Sequence, residues 1–279
     1  MAFPVRPGRL VGFVAITIFL VLLDGILFEV VTWPQVARLA RQAPRTTAFM
    51  DEYRSRQRRA GKPDRLEWKW VPGDSISVNL KRAVLVSEDI GFFAHHGFEL
   101  GEMKDAIKES LLKGAAPRGA STITQQLAKN LWLSPSRNPL RKLKEAVLTR
   151  QLESDLSKSR ILELYLNVVE FGPAIYGAEA AARHFFDKSA SALTEHEAAL
   201  LASGLSRPSA WNPSKSSQAY GRQVAKVEER MSHATFLWRH LGVLPVMPDS
   251  LAAADSTLAE FLKSDSAFRF EMPAGDSMP

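Results

Sequence analysis

Between Val84 and Glu99 the chain reads VLVSEDIGFFAHHGFE. The acidic pair Glu88-Asp89 closes an apolar stretch, and Phe92, the pair His95-His96 and Gly97 follow within a few residues. Carboxylates, imidazoles and a turn glycine this close together, beside apolar neighbours able to desolvate them, suit proton-transfer chemistry. The same residues also fit a helix C-terminus whose charges are solvated and whose histidines pack. The cluster alone does not choose between these.

Two stretches downstream add chemistry of another kind. Arg118-Gly119-Ala120 reads as a loop, and Ser121-Thr122-Ile123-Thr124-Gln125-Gln126 opens a helix. Ser121 or Thr122 can cap it, and Thr122 with Gln125 fits a capping box. A helix N-terminus offering free N–H groups, hydroxyls and two amides also suits sugar hydroxyls or phosphate, and the pair Gln125-Gln126 exceeds what capping needs. Next come Lys129, Arg137, Arg141, Lys142 and Lys144, with no acid among them. Asn138-Pro139 reads as a cap and a first helical position, which puts Arg141 and Lys142 in a first turn where the helix dipole disfavours cations. A local rule broken in this way points to function, here binding of a multiply charged anion such as a diphosphate. Glu145 lies one turn beyond Arg141. It is either a weak surface ion pair or a second carboxylate that orients the cations or helps hold a metal.

The elements that must carry these groups are helical. Asn79 reads as the N-cap of a helix through Leu80, Ala83, Val84 and Ser87 that stops by Gly91. Glu88 then falls in the last turn, where the dipole pushes a carboxyl pKa upward, as a base requires. A second helix carries Leu100, Met103, Ile107 and Leu111 on one stripe and stops at Gly114. Ser110 to Lys113 spells S-x-x-K, but no S-x-N or K-T-G partner follows, which excludes a penicillin-binding acyl-transfer nucleophile. Ser157 caps a helix through Ile161 to Leu166 ahead of Asn167, and a turn from Gly172 to Gly177 leads into Ala178 to Phe186. Thr194 with Glu197 makes a capping box, and a last helix runs from Tyr220 past Met231. No stretch alternates with period two for long, so the fold class is all-α.

At 279 residues and 46% hydrophobic composition the chain can bury a substantial core, and with 0 cysteines neither disulfides nor thiolate-bound metal supports it. The uncharged run Leu10–Leu23 would span only about 21 Å as a helix, against about 30 Å of hydrocarbon. Extending it to Trp33 reaches full span, with Asp24 and Glu29 towards the far interface. Arg6 and Arg9 put the N-terminus in the cytoplasm. The segment has signal-peptide length, but no small-x-small site follows promptly, which favours an uncleaved anchor. Five divisions result: a cytoplasmic N-terminus (1–9), a transmembrane anchor (10–33), a basic membrane-proximal connector (34–72), a catalytic domain (73–243) and a loosely ordered tail (244–279). Nucleic acid is excluded as the anion, because the domain lies outside the membrane and its basic stretch has little aromatic interleaving.

EDIGFFAHHG, GASTITQQLAKN, RKLKE and KSRILELYLN occur in that order at domain-like intervals. Together they resemble the signature blocks of the peptidoglycan glycosyltransferases of the penicillin-binding proteins, over about Trp33 to Met231. PRTTAFM ahead of them, and too little chain for a transpeptidase domain, make the likeness closest to the monofunctional biosynthetic transglycosylases. The resemblance implies a lysozyme-like, two-lobed fold behind a single transmembrane helix. It also implies polymerisation of lipid II into β-1,4 glycan with release of undecaprenyl diphosphate. It implies Glu88 as catalytic base and Glu145 as the second essential carboxylate. Ser121, Gln125, Gln126, Lys129, Arg137, Arg141, Lys142 and Lys144 are implied for substrate and diphosphates, and Asp89, Phe92, His95, Gly97 and Asn167 form the supporting frame. No cofactor is obligatory, although a divalent cation (Mg or Mn) could join at the diphosphate. The partners implied are lipid II, the nascent strand, the bilayer and division or elongation proteins, at the inner membrane with the catalytic domain periplasmic. The chain departs from the family pattern at Ala120, where a second glycine is common, and at Glu99, where an aspartate is usual. Val227 to Met231 matches the fifth block only loosely. A lysozyme-like glycan hydrolase and a non-catalytic cell-wall scaffold are the competing readings.

Overall fold

The computed structural model of the chain describes residues 7–99, 121–134 and 139–242. The helix expected from Leu100 to Gly114, Arg137 and the tail beyond 244 lie outside these residues. Described helices are α1 (Pro7–Val31), α2 (Ala48–Arg59), α3 (Val78–Glu88), α4 (Ile123–Trp132), α5 (Pro139–Asp155), α6 (Lys158–Val168), α7 (Ala178–Phe186), α8 (Glu195–Gly204), α9 (Gln218–His233) and the short α10 (Leu237–His240).

The protein is mainly helical, with one addition. A small sheet of order β1-β3-β2 joins β1 (Glu67–Trp68), β2 (Glu170–Gly172) and β3 (Ile175–Tyr176). β1 runs parallel to β3, pairing Glu67 with Ile175 and Trp68 with Tyr176, and β2 runs antiparallel to β3. Strands of two or three residues are too short to show the alternation by which strands are recognised.

α3 is the central helix. Its buried Leu80, Ala83, Val84, Leu85 and Val86 pack against α8 and α9. Its cap is Ser77 rather than Asn79: the Ser77 hydroxyl accepts from the Asn79 N–H at 3.1 Å, and the Asn79 amide donates instead to the Leu193 carbonyl. Arg82, 3% exposed, binds the three helices together. It donates to Glu195 at 2.7 Å and to the Met231 carbonyl at 2.6 Å, with its guanidinium 4.0 Å from the Trp238 ring centroid. Ser157 caps α6, and Thr194 with Glu197 closes the expected capping box on α8.

The stretch 34–72 folds back on the helical body. Val36, Leu39 and Met50 are buried, α2 packs on α4, and Arg160 donates to the Leu39 and Gln42 carbonyls. Asn167, 0% exposed, fastens the end of this stretch. Its side chain accepts from the Val71 N–H and donates to the Val71 and Glu163 carbonyls, each at 2.9 Å. The Trp68 indole donates to the Asn167 carbonyl at 2.7 Å.

On α1 the described apolar side chains, among them Phe13, Ile16, Phe19, Leu20, Val21 and Phe28, are exposed. Among the described residues no helix is long and apolar enough to cross a membrane.

Gly177 opens α7 with φ +81°, and a Cβ there would sit 2.5 Å from the Asn167 carbonyl oxygen. Gly177→Ala therefore combines backbone strain with a backbone clash. It should lower unfolding free energy by about 3 kcal/mol, read by urea denaturation.

Candidate active site

The site is built where α3 ends and α4 begins. α3 stops at Glu88, and Asp89 leaves helical geometry with φ −167° and ψ 78°. The freed Asp89 carboxylate turns to the start of α4 and accepts the buried Ile123 N–H at 2.9 Å. Its other oxygen lies 2.9 Å from His95 Nε2. Gly97 N–H donates to His95 Nδ1 at 3.0 Å, so Nδ1 is the acceptor and Nε2–H donates to Asp89. Thr122 closes the loop by donating to the Gly97 carbonyl at 2.8 Å. Gly97 has φ +86°, and a Cβ would come within 2.8 Å of Thr149 and 3.0 Å of Glu153. Phe92 is 0% exposed beneath the loop, with the Lys158 ammonium 4.4 Å from its ring centroid. Lys158 and Thr124 both donate to Glu153, which ties α4, α5 and α6 to the same frame.

The two glutamines part company. Gln125 is buried and completes the capping box, its Oε1 accepting the Thr122 N–H at 3.0 Å. Gln126, one residue on, donates from Nε2 to Glu88 Oε2 at 2.9 Å. Its Oε1 accepts from the Tyr165 hydroxyl at 2.9 Å. Tyr165 is thus a site residue that reasoning from sequence missed. Its place in the fourth block, ELYLN, was the available signal.

Burial drives the Glu88 pKa above the ordinary carboxylate range. The Gln126 hydrogen bond works against this, Asp89 adds to it, and Ser87 and Lys129 oppose it. Burial lowers the Lys129 pKa, with Glu145 opposing, Arg141 and Lys142 reinforcing, and Glu88 opposing. Lys129 therefore senses both carboxylates and both neighbouring cations. Its ammonium lies 5.6 Å from the Phe49 ring centroid on α2.

Glu145 is 2% exposed, so it is not a surface ion pair. Arg141 donates to it at 3.0 Å and Lys142 donates to its other oxygen. Lys142 remains largely exposed, while the Arg141 Nε is buried without a partner. Lys144 is not brought to this group. It faces α1, donating to Glu29 at 2.6 Å, with its ammonium 5.4 Å from the Trp33 ring centroid. Ser121 is exposed at the mouth of α4, and its carbonyl accepts a long bond from Gln126 at 3.4 Å.

These donors suit an anion better than a metal. Both Glu145 oxygens are taken by cations, and Glu88 faces an amide and an ammonium. Asp89, His95 and Glu99 do bring one ligand atom each within 4.8 Å of one another. However, both His95 nitrogens are already committed, to Asp89 and to Gly97 N–H.

Residues 53–232 match the family described as Transglycosylase. The biosynthetic peptidoglycan transglycosylase of Thiobacillus denitrificans is 46% identical over 188 residues, 67% of this chain and 81% of that protein. That of Aromatoleum aromaticum is 46% identical over 197 residues, 69% and 83% of the two chains. That of an Azoarcus species is 45% identical over 207 residues, 74% and 87%.

The raised Glu88 pKa has a consequence for stability. A carboxyl whose folded pKa exceeds its unfolded value favours folding only while protonated, and this is lost as pH rises through the folded value. Glu88→Gln should therefore unfold at a higher temperature than the parent protein at pH 8. The difference should close below about pH 4, where both side chains are neutral. Thermal melts across pH check this.

Proposed function

The chain belongs to the transglycosylase family, the enzymes of peptidoglycan synthesis, and from that premise we propose that it polymerises lipid II while anchored in the bilayer. The observation that carries the reading is the half-buried Glu88, its pKa raised, held by Gln126 and acted on by Lys129, which also senses the Arg141–Lys142–Glu145 group. Glu88 takes the proton from the 4-hydroxyl of the acceptor GlcNAc as that oxygen attacks C1 of the donor MurNAc. The C1–O bond to undecaprenyl diphosphate breaks in the same displacement, and the anomeric centre inverts from α to β. A diphosphate is a good leaving group and needs charge stabilisation more than a proton. Lys129, Arg141 and Lys142 supply it. Glu145 holds the last two in place, which offsets their unfavourable position at a helix N-terminus.

Features of α5 support membrane attachment. Leu140, Leu143 and Val147, spaced i, i+3, i+7 on this helix, are exposed. α5 also carries Arg141, Lys142 and Glu145, so an apolar stripe and an anion site share one helix. α1 meets it through Glu29–Lys144, and just past α1 the Trp33 indole donates to Gln151 at 2.8 Å. An apolar helix fixed here would hold the site at the plane in which a lipid-linked diphosphate lies, raising the local concentration of substrate. Glu29 on this reading serves α5 rather than lipid.

Glu88→Gln should cut glycan polymerisation from labelled lipid II by at least about 100-fold in a folded protein. Near-normal synthesis would remove Glu88 as the base. For the parent enzyme, kcat/KM should fall as pH drops through the raised Glu88 pKa, so the acid limb should lie above the ordinary carboxylate range. Incubation with purified sacculi should release no soluble muropeptides, whereas a hydrolase would release them.

A further inference from the structure

The Tyr165 hydroxyl, the amide of Gln126 and the carboxylate of Glu88 form a chain of two 2.9 Å hydrogen bonds through a side chain that can be reversed. We propose that Tyr165 is a positioning residue that acts through Gln126: its hydroxyl fixes which end of the amide faces Glu88 and so keeps the base ionised and aimed. This rests on Glu88 being the base.

The reasoning is one of donors and acceptors. An ionised carboxylate only accepts, so it needs the NH2 end of Gln126, whereas a protonated carboxyl can donate and is well served by the carbonyl end. The amide alone is indifferent, because its two ends have nearly the same shape. Tyr165 breaks that symmetry. It is 0% exposed, and burial, then Glu88 and Asp89, raise its pKa well above the usual phenol value, so it stays a donor throughout the working range. Gln126 Oε1 is the acceptor it has among the described residues. Reversing the amide would leave the Tyr165 O–H buried without an acceptor, which is disfavoured. The NH2 end is thereby held on Glu88 Oε2. Other groups acting on Glu88 are Asp89 and Ser87 from the end of its own helix and Lys129 from α4. None of these touches the amide's carbonyl end. The mutual placement comes from separate helices, Gln126 on α4 and Tyr165 on α6, which pack directly against one another.

The test is Tyr165→Phe in the full chain in detergent micelles. It should move the acid limb of kcat/KM upward by about one pH unit, or about tenfold less ionised base below the limb, with KM little changed. Activity should recover towards the parent value at high pH. A role confined to packing would depress activity equally at all pH. In Gln126→Leu, which lacks the amide, adding Tyr165→Phe should move the limb no further, and additive shifts would overturn the proposal. 3-Fluorotyrosine at position 165 keeps the ring and strengthens the donor, so it should move the limb downward even if Phe is not tolerated. Titration of the Glu88 carboxyl by 13C NMR without substrate, assigned by difference from Glu88→Gln, should shift in step with the limb. This readout is independent of catalysis. An unmoved Glu88 titration in both Tyr165 variants overturns the positioning role, while lost polymerisation with a moved titration points instead at the base assignment.

Discussion

The carboxylate of Asp89 is the interaction from which the rest of the site follows. Sitting just past the end of α3, it is at once the acceptor for the first N–H of α4 and the partner of His95. A buried N–H without a partner is costly, so the beginning of α4 has a strong reason to stay against the end of α3. Everything else at the base depends on that junction. Gln126 reaches Glu88 because the two helix ends meet, and the 89–99 loop closes because His95 and Thr122 tie it to the same point. The histidine that first suggests acid–base chemistry is spent on architecture, with one ring nitrogen accepting and the other donating.

The two glutamates, Glu88 and Glu145, are set in opposite surroundings. Glu88 faces apolar walls, one amide donor and a neighbouring acid, and burial dominates, so its carboxyl holds its proton more tightly than in water. Glu145 is the more deeply buried of the two, yet it receives a guanidinium and an ammonium directly. One environment suits a group that must take up a proton, the other a group that must keep two cations in position. Lys129 interacts electrostatically with both glutamates.

α5 gives this arrangement a direction. Its buried Leu148 and Leu152 join the core, Arg141 and Lys142 of its basic first turn meet Glu145, and Leu140, Leu143 and Val147 are presented outward. Lys144 turns away from Glu145 to meet Glu29 and Trp33, so one lysine of the basic run couples the helical body to α1 while Arg141 and Lys142 bind Glu145.

What the sequence by itself determined is what depends on neighbours three or four residues apart. The capping boxes at Thr122–Gln125 and Thr194–Glu197, the Ser157 cap and the placement of Glu88 in a last turn are of this kind, because a helix N-terminus is completed by its own first turn. The order of four motif blocks was likewise legible, and with it the family. What only tertiary structure decided joins residues far apart. β1 pairs with β3 across about a hundred residues, and Asn79 yields the cap to Ser77 while its own amide donates to the Leu193 carbonyl. Lys144 parts from its neighbours because a helix turn points it elsewhere. Gln125 and Gln126 are adjacent and alike in sequence, yet one completes a cap and the other faces Glu88. The separation arises because consecutive residues of a helix project about 100° apart, and the partner each one meets is set by the helices packed alongside.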